Sequence, residues 1–300
     1  MRTAPNLRSL VRAKAGAHVS VCLPARNEEP TIGAIVTSVR EHLMEEVHLV
    51  DEVLVIDDGS TDATAAVART EGAVVLPTDE ILPDLPAGSG KGNALWLSLY
   101  ACEGDIICWL DADVRNFGPH FVTRLVAPML MDPTIGYVKG YYRRPLNGEA
   151  TGGGRVTELM ARPLLSALFP HLTRFVQPLA GEYAGRREML EQVPFVEGYG
   201  VEIGLLIDLV ARFGLDAVTQ VDLDVREHRN RPLDELGPQA MAVLVTGLRR
   251  AGVPVDKRLA GLLRFDDHRE IERVAVEIRE RPPMITVPAY LAKFGRELSA

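Results

Sequence analysis

The sequence of 300 residues is 47% hydrophobic and 25% charged, a composition that suits a globular protein built as one large domain or two. Its formal net charge of −8 argues against a general nucleic-acid-binding protein, which would carry a basic surface. No stretch of about 18 or more apolar residues is present, so the sequence predicts no membrane-spanning helix.

Residues 1–18 form a basic N-terminal extension. They lack the apolar core and the cleavage site of a secretory signal, so we expect no such signal here. The cysteines, Cys22, Cys102 and Cys108, lack the spacing of a metal site, and an odd number gives no complete disulfide framework. We therefore predict reduced core thiols in a cytoplasmic protein.

Short apolar runs alternate with helically spaced segments along the chain. The predicted strands cover residues 19–23, 53–56, 73–76, 106–110, 135–142 and 217–225. The predicted helices cover residues 32–43, 63–70, 94–102, 120–131, 158–168, 203–213, 239–251 and 266–281. Residues 181–187 are predicted to form a short polar connection. The alternation over the first half of the chain predicts an α/β protein with a doubly wound, mostly parallel sheet.

Carboxylates follow two of the predicted strands. Asp57 and Asp58 end the second strand, and Asp111 and Asp113 come directly after the fourth. Because the carboxyl ends of parallel strands meet at one edge of a sheet, these side chains would repel one another unless a cation or hydrogen-bond donors compensate them. The pattern favours a magnesium-type metal site that holds a phosphate. Turn formation and helix capping remain open for Asp57 and Asp62.

Lys91 lies between two glycines, in Gly90-Lys91-Gly92, shortly before a predicted helix. A P-loop would place Ser or Thr directly after the lysine and would follow the first strand, so an ATPase of that class is excluded. A lysine and backbone N–H groups at the start of a helix can still bind an anion. A flexible loop with a solvated lysine is the alternative.

The second half of the chain contains a glycine-rich segment at residues 152–157 before a predicted helix. Its N–H groups, with Arg155 and Thr157, suit a phosphate or a carboxylate, although a surface loop with a helix cap would have the same pattern. Glu202 begins a strongly apolar helix. It would either interact with the helix dipole or face the pocket as a catalytic carboxylate.

His228 follows the last predicted strand and is surrounded in sequence by Arg226, Arg229 and Arg231. Neighbouring cations disfavour the protonated ring, which would leave the imidazole neutral and able to bind a metal. A structural or merely exposed histidine is the alternative.

Three segments, 24–29, 57–62 and 111–113, resemble the marks of nucleotide-sugar glycosyltransferases with the GT-A fold. Five more, 90–92, 142–146, 151–159, 198–204 and 228–233, are similar to the family of glucosyl-3-phosphoglycerate and mannosyl-3-phosphoglycerate synthases. The resemblance covers residues 19–236 and implies a GT-A fold with a helical C-terminal acceptor-binding part. It divides the chain into an extension (1–18), a Rossmann-like nucleotide-sugar half (19–145), an acceptor-binding half of the same catalytic domain (146–236) and a helical C-terminal region (237–300).

The resemblance implies transfer of glucose from UDP-glucose to O2 of 3-phosphoglycerate, with retention of configuration and with Mg²⁺ or Mn²⁺ as cofactor. Mannose transfer from GDP-mannose, or use of both donors, is the nearest alternative, and another family 2-like glycosyltransferase is a more distant one. The resemblance also implies a homodimer and gives no reason to expect a nucleic acid or a membrane as a partner.

The resemblance assigns a role to individual residues. The catalytic residues would be Glu202, Asp111 and Lys91. The nucleotide-sugar contacts would be Pro24, Ala25, Arg26, Glu28, Asp58, Ser60, Lys91, Asp111, Ala112, Tyr199 and Glu202. The acceptor contacts would be Gly153, Gly154, Arg155, Thr157 and Asn230. The metal ligands would be Asp113 and His228.

Three positions depart from the family pattern. Arg26 stands where relatives commonly carry Leu, and Asp58 and Ala112 stand where relatives often carry Ser. We expect front-face attack, in which the departing phosphate takes the acceptor proton and Glu202 orients the sugar.

Overall fold

The computed structural model describes residues 6–146, 149–152, 154–227, 233–255, 261–266, 268–276 and 278–296. The strands are β1 (Val19–Ala25), β2 (Glu52–Asp57), β3 (Val74–Pro77), β4 (Ile106–Trp109), β5 (Tyr137–Arg143), β6 (Pro145–Leu146), β7 (Glu149–Gly152), β8 (Tyr183–Arg186), β9 (Phe195–Val196), β10 (Val218–Val225), β11 (Gly261–Phe265), β12 (Ile271–Ala275) and β13 (Glu280–Arg281). The helices are α1 (Leu7–Lys14), α2 (Glu29–Val39), α3 (Thr64–Thr70), α4 (Gly90–Ala101), α5 (His120–Met131), α6 (Arg162–Leu168), α7 (Arg187–Leu190), α8 (Val201–Phe213), α9 (Leu233–Arg250) and α10 (Pro288–Phe294). Short π-helical turns, Arg40–Glu45 and Thr157–Ala161, adjoin α2 and α6.

A seven-stranded sheet forms the centre of the molecule, in the order β10-β5-β8-β4-β1-β2-β3. All of these strands run parallel except β8, which is antiparallel to both of its neighbours. Every residue of β4 is buried, as expected for a strand covered on both faces. The apolar sides of α2 and α5 pack in one core, and those of α4 and α8 pack in the core on the opposite face. The predicted doubly wound α/β fold is therefore confirmed.

Two local differences from the sequence prediction affect the site. The segment predicted as a polar connection contains β8, whose Tyr183 and Ala184 are buried within the sheet. Arg186 follows them and donates to the carbonyls of Ile135 and Met129, so a basic residue is accommodated in the strand by backbone acceptors. Helix α4 begins at Gly90 instead of residue 94, and Lys91 therefore lies in its first turn.

The C-terminal region contains the clearest correction. The sequence predicts a helix over 266–281, but this range contains β12, which pairs antiparallel with the preceding strand β11, and β13, which pairs with β9. Asp266 accepts the N–H groups of His268 and Glu270, which fixes the turn between β11 and β12. The apolar residues of 271–278 have helical spacing, but this local turn and strand pairing override it.

Residues of the C-terminal region form hydrogen bonds to the start of α4 and to the loop before it. Arg281 donates to Asn93 Oδ1 and to the carbonyl of Pro86, both at 2.8 Å. Trp96 of α4 donates in turn to the carbonyl of Pro282 at 2.7 Å. Within the described ranges, no helix is both long enough and apolar enough to cross a membrane.

Candidate active site

A cleft with a volume of ≈ 770 Å³ opens at the carboxyl ends of β1 and β4. Most of the residues singled out in the sequence line it, and these are Pro24, Ala25, Arg26, Glu28, Asp58, Lys91, Asp111, Ala112, Asp113, Gly154, Arg155, Thr157, Tyr199 and Glu202. Ser60 is not among the lining residues. Gly153, His228 and Asn230 lie outside the described residues. The fold thus brings both halves of the predicted site to one cleft.

Lys91 connects two of the predicted catalytic carboxylates. Its ammonium forms an ion pair with Asp111 and lies 2.8 Å from Oε1 of Glu202. Burial alone disfavours the charged ammonium, but the attraction of Asp111 and Glu202 outweighs it and raises the pKa of Lys91 above its ordinary value. Burial likewise opposes ionisation of Asp111, and Lys91 and Arg226 overcome it, so the pKa of Asp111 is lowered. Lys91 and Asp111 are therefore a cation and an anion throughout the neutral range.

Arg226 is the site residue to which the sequence prediction gave no role of its own. Its Nη2 atom lies 2.7 Å from Asp111 Oδ2 and 2.6 Å from Asp113 Oδ1. Its Nε atom lies 2.7 Å from Oε1 of Glu182 in a buried ion pair. In the sequence, Arg226 was visible only as one of several cations around His228. The end of β10 places it beside both carboxylates.

Gly181 makes room for the carboxylate of Asp111. A side chain at this position would overlap the carboxylate atoms of Asp111, so only a glycine is compatible with the observed arrangement. No feature of the short segment before β8 revealed this requirement, because the neighbour is distant in sequence.

Asp58 belongs to both the cleft and the start of α4. Its Oδ2 atom accepts the N–H of Gly90 at 3.1 Å, and Arg26 Nη1 lies 3.9 Å from it. Burial raises the pKa of Asp58, while these two partners oppose the rise. Arg26 itself remains largely exposed, with a side-chain exposure of 65%, which leaves its guanidinium accessible at the rim of the cleft.

The other residues around Asp57 have structural roles in the described molecule. Ser60 Oγ accepts the N–H of Asn27 at 3.0 Å and thereby braces the turn after β1. Asp57 accepts the N–H of Ser60, and Asp62 accepts the N–H of Thr64 at 3.0 Å near the start of α3. The turn interaction that the sequence left open for Asp57 is present. The N-cap residue of α3 is Ala63 and has no side-chain cap, so Asp62 bonds to the N–H of Thr64 without being the capping residue.

The glycine-rich segment contributes the other wall of the cleft. Gly154 has a φ of +79°, a conformation that glycine adopts without strain, and its carbonyl accepts the N–H of Glu158 at 3.0 Å. The turn aligns Arg155 and Thr157 at the start of the following helical segment, where both line the cleft. Thr157 is 5% exposed, so its hydroxyl faces a confined space.

The charges of the cleft do not balance. Among the described residues, the cleft is lined by six carboxylates, of Glu28, Asp58, Asp111, Asp113, Glu202 and Glu235, and by five cations, of Arg26, Lys91, Arg144, Arg155 and Arg226, and the buried carboxylate of Glu182 also pairs with Arg226. This excess of negative charge suits a divalent cation. Within the part of the chain that the structure describes, no group of three or more His, Cys, Asp or Glu side chains could hold a metal by itself. The carboxylate of Asp113 is 29% exposed, and a hard cation bound there would take further oxygen ligands from a phosphorylated substrate.

Comparison with known proteins gives consistent matches over most of the chain. The family model described as "Glycosyl transferase family 2" matches residues 20–192. The glucosyl-3-phosphoglycerate synthase of Petrotoga mobilis is 45% identical over 306 residues, which is 97% of this chain and 94% of the relative.

Two solved structures of glucosyl-3-phosphoglycerate synthase from Mycobacterium tuberculosis are equally similar in fold. The complex with Mn²⁺, UDP-glucose and phosphoglyceric acid has a TM-score of 0.87 and 48% identity, and the match covers 95% of this chain and 96% of that one. The complex with Mg²⁺ and UDP has a TM-score of 0.87 and 48% identity, with 94% and 96% covered.

Proposed function

This chain belongs to glycosyltransferase family 2 and, within it, to the glucosyl-3-phosphoglycerate synthases, and from that membership we propose that it transfers glucose from UDP-glucose to O2 of 3-phosphoglycerate with retention of configuration. The observation that carries the proposal is the single cleft in which the carboxylates after β4, the Lys91–Glu202 pair and the Gly154–Thr157 turn meet. Such a cleft can hold a nucleotide sugar and a phosphorylated acceptor side by side.

The first group of residues would bind the donor. Pro24, Ala25, Arg26 and Glu28 form one wall, and Asp58, Ala112 and Tyr199 lie beside it in the same cleft. We assign these residues to the nucleotide and its sugar. Ser60 does not line the cleft, and its hydroxyl accepts the N–H of Asn27. We therefore propose that Ser60 supports nucleotide-sugar binding indirectly, by stabilising the loop after β1.

The second group would handle the charge of the leaving diphosphate. Asp113 and His228 are the proposed ligands of Mg²⁺ or Mn²⁺, which would supply positive charge to the diphosphate when bound. Lys91 is held as a cation between Asp111 and Glu202, and it adds a fixed positive charge at the same place. Asp111 would contact the ribose and the sugar.

The third group would hold the acceptor. 3-Phosphoglycerate carries a phosphate and a carboxylate, and the Arg155 guanidinium, the Thr157 hydroxyl and the N–H groups of the glycine-rich turn are complementary donors. Gly153 and Asn230 are proposed to complete this subsite. As O2 of the acceptor forms its bond to the sugar C1, the C1–diphosphate bond breaks and the departing diphosphate takes the O2 proton. Glu202 would orient the sugar during this step.

Two further proposals concern the state of the protein. The three cysteines are free and buried, which supports the predicted cytoplasmic location. One face of the β11–β12 pair exposes Leu263, Phe265 and Ile271, the last two at 69% exposure. We propose that this apolar face contributes to a homodimer interface.

The test is a parallel assay of the purified protein with UDP-glucose or GDP-mannose, each with Mg²⁺ and with or without 3-phosphoglycerate. We expect UDP release that depends on 3-phosphoglycerate and yields glucosyl-3-phosphoglycerate. Faster turnover with GDP-mannose would overturn the donor assignment. Nucleotide release that does not depend on 3-phosphoglycerate would overturn the acceptor assignment.

A further inference from the structure

Glu182 is a buried carboxylate that does not line the cleft. It precedes β8, its exposure is 0%, and its Oε1 atom lies 2.7 Å from Nε of Arg226. A carboxylate taken fully out of water is costly unless a partner compensates it. Burial raises the pKa of Glu182 above its ordinary value, and the Arg226 guanidinium opposes that rise without cancelling it. Because water cannot reach Glu182, Arg226 is the group that compensates its negative charge.

Arg226 uses its two ends for different partners. Nε faces Glu182, and Nη2 is shared between Asp111 Oδ2 at 2.7 Å and Asp113 Oδ1 at 2.6 Å. The Nε contact is an ion pair without a hydrogen bond, so Glu182 attracts the Nε side of the planar guanidinium by its charge, while the hydrogen bonds of Nη2 go to the two carboxylates. The ring of Tyr142 lies over the guanidinium, with its centroid 5.5 Å from Cζ, and restricts it further.

Gly181, the residue before Glu182, affects the carboxylate of Asp111 because it has no side chain. Gly181 leaves the space that the Asp111 carboxylate occupies, and Glu182 anchors the cation that bonds to it. Two consecutive residues directly before β8 therefore determine both the space and the charge around Asp111. The backbone holds this pair in place, since the carbonyl of Glu182 accepts the N–H of Gly140 at 2.8 Å.

We propose that Glu182 is a positioning residue that acts through Arg226 to hold Asp111 and Asp113 in place and to keep Asp113 available to a divalent cation. The proposal rests on the function assigned above. With Glu182 ionised, Arg226 divides its charge between one carboxylate behind it and two in front. Without that negative charge, Arg226 would bind Asp111 and Asp113 more tightly, and the cleft would attract a cation less. Both effects weaken metal binding.

The decisive measurement is the affinity for Mn²⁺ in the presence of UDP, followed by the electron paramagnetic resonance signal of free Mn²⁺. We expect Glu182→Gln to weaken Mn²⁺ binding about tenfold or more. The metal concentration for half-maximal activity should rise by the same factor, while KM for 3-phosphoglycerate stays unchanged. Arg226 retains two carboxylate partners in this variant, so no buried cation is left unpaired.

Glu191→Gln is the matched control. Glu191 directly follows α7 and does not line the cleft; it is also buried, at 1% exposure, and it accepts a hydrogen bond from Tyr290. This variant loses a buried carboxylate without touching the cleft, and its Mn²⁺ affinity should equal that of the unmodified enzyme. An unchanged Mn²⁺ affinity in Glu182→Gln would make Glu182 a purely structural residue and overturn the proposal.

A double-mutant cycle tests the route through Arg226. In the background of Arg226→Met, adding Glu182→Gln should change Mn²⁺ affinity far less than it does beside Arg226. An equal change in both backgrounds would overturn the route through Arg226. Failure of the proposed function is distinguishable, because the unmodified protein would then bind no Mn²⁺ with UDP or form no product.

Discussion

Nζ of Lys91 lies 2.8 Å from Oε1 of Glu202 and so joins helix α4 to helix α8 across the cleft. The same ammonium pairs with Asp111 after β4. One lysine in the first turn of a helix thereby compensates two carboxylates from separate elements. The glycines around it allow this position, because Gly92 packs against the carbonyl of Val196 with no room for a side chain.

Replacing Lys91 with Met should lower kcat about a hundredfold or more, because the cation proposed to face the leaving group is lost and two carboxylates lose their common partner. Initial rates at saturating UDP-glucose and 3-phosphoglycerate measure this. Lys293→Met is the control, since Lys293 bonds to Glu103 and the carbonyl of Tyr100 outside the cleft. Equal rates in the two variants would contradict a role of Lys91 in turnover.

Replacing Arg155 with Ala should raise KM for 3-phosphoglycerate roughly tenfold or more and leave KM for UDP-glucose nearly unchanged, because the proposed charge-assisted hydrogen bond to the acceptor is lost. Steady-state kinetics with each substrate varied in turn measure the two constants. Arg162→Ala removes a nearby arginine that pairs with Glu158, and both constants should stay as they are. A rise confined to the donor KM would move Arg155 to the donor subsite.

Lys139 makes stability depend on pH. It is 1% exposed, it donates to the carbonyl of Ala180, and burial lowers its pKa to about 7, with Glu202 opposing that shift. Between pH 7 and the ordinary lysine pKa of 10.5, the unfolded chain carries this proton and the folded protein does not. The free energy of unfolding should therefore rise with pH across this window, by at most about 1.4 kcal/mol per pH unit.

Chemical denaturation at pH 7 and pH 9 measures this contribution as the difference between the protein and its Lys139→Met variant. The variant should lack the rise that Lys139 contributes and should be the more stable of the two at pH 7. An identical pH dependence in both proteins would show that Lys139 keeps its proton throughout.

Replacing Phe265 and Ile271 with Glu should convert the proposed dimer to a monomer, because charged groups would replace the most exposed apolar side chains of the β11–β12 face. Light scattering after size exclusion gives the mass directly. Met131→Glu, at another exposed apolar residue at the end of α5, is the control and should leave the mass unchanged. A dimer that persists in the double variant would place the interface elsewhere.

Sequence periodicity was sufficient for most of the central sheet. Each predicted strand from 19–23 to 217–225 corresponds to one of β1 to β5 or β10, with shifts of a few residues at the ends. A buried parallel strand needs a continuous apolar run, and that requirement is local. Prediction from periodicity fails at β8, where glycine and arginine residues contact partners that are distant in sequence. It also fails at β11–β12, where a local turn overrides helical spacing. The proposed divisions at residues 145 and 236 remain predictions.

The sequence by itself determined six of the seven strands of the central sheet, the carboxylates that follow β2 and β4, and the segments that indicate the class of donor and acceptor. Only the tertiary structure decided how those charges are compensated. It brought Arg226 between Asp111 and Asp113, buried Glu182 behind Arg226, and used Gly181 as space for a carboxylate. The physical reason is that a buried charge is stabilised by whichever group lies within a few ångströms, and such neighbours come from elements far apart in the chain.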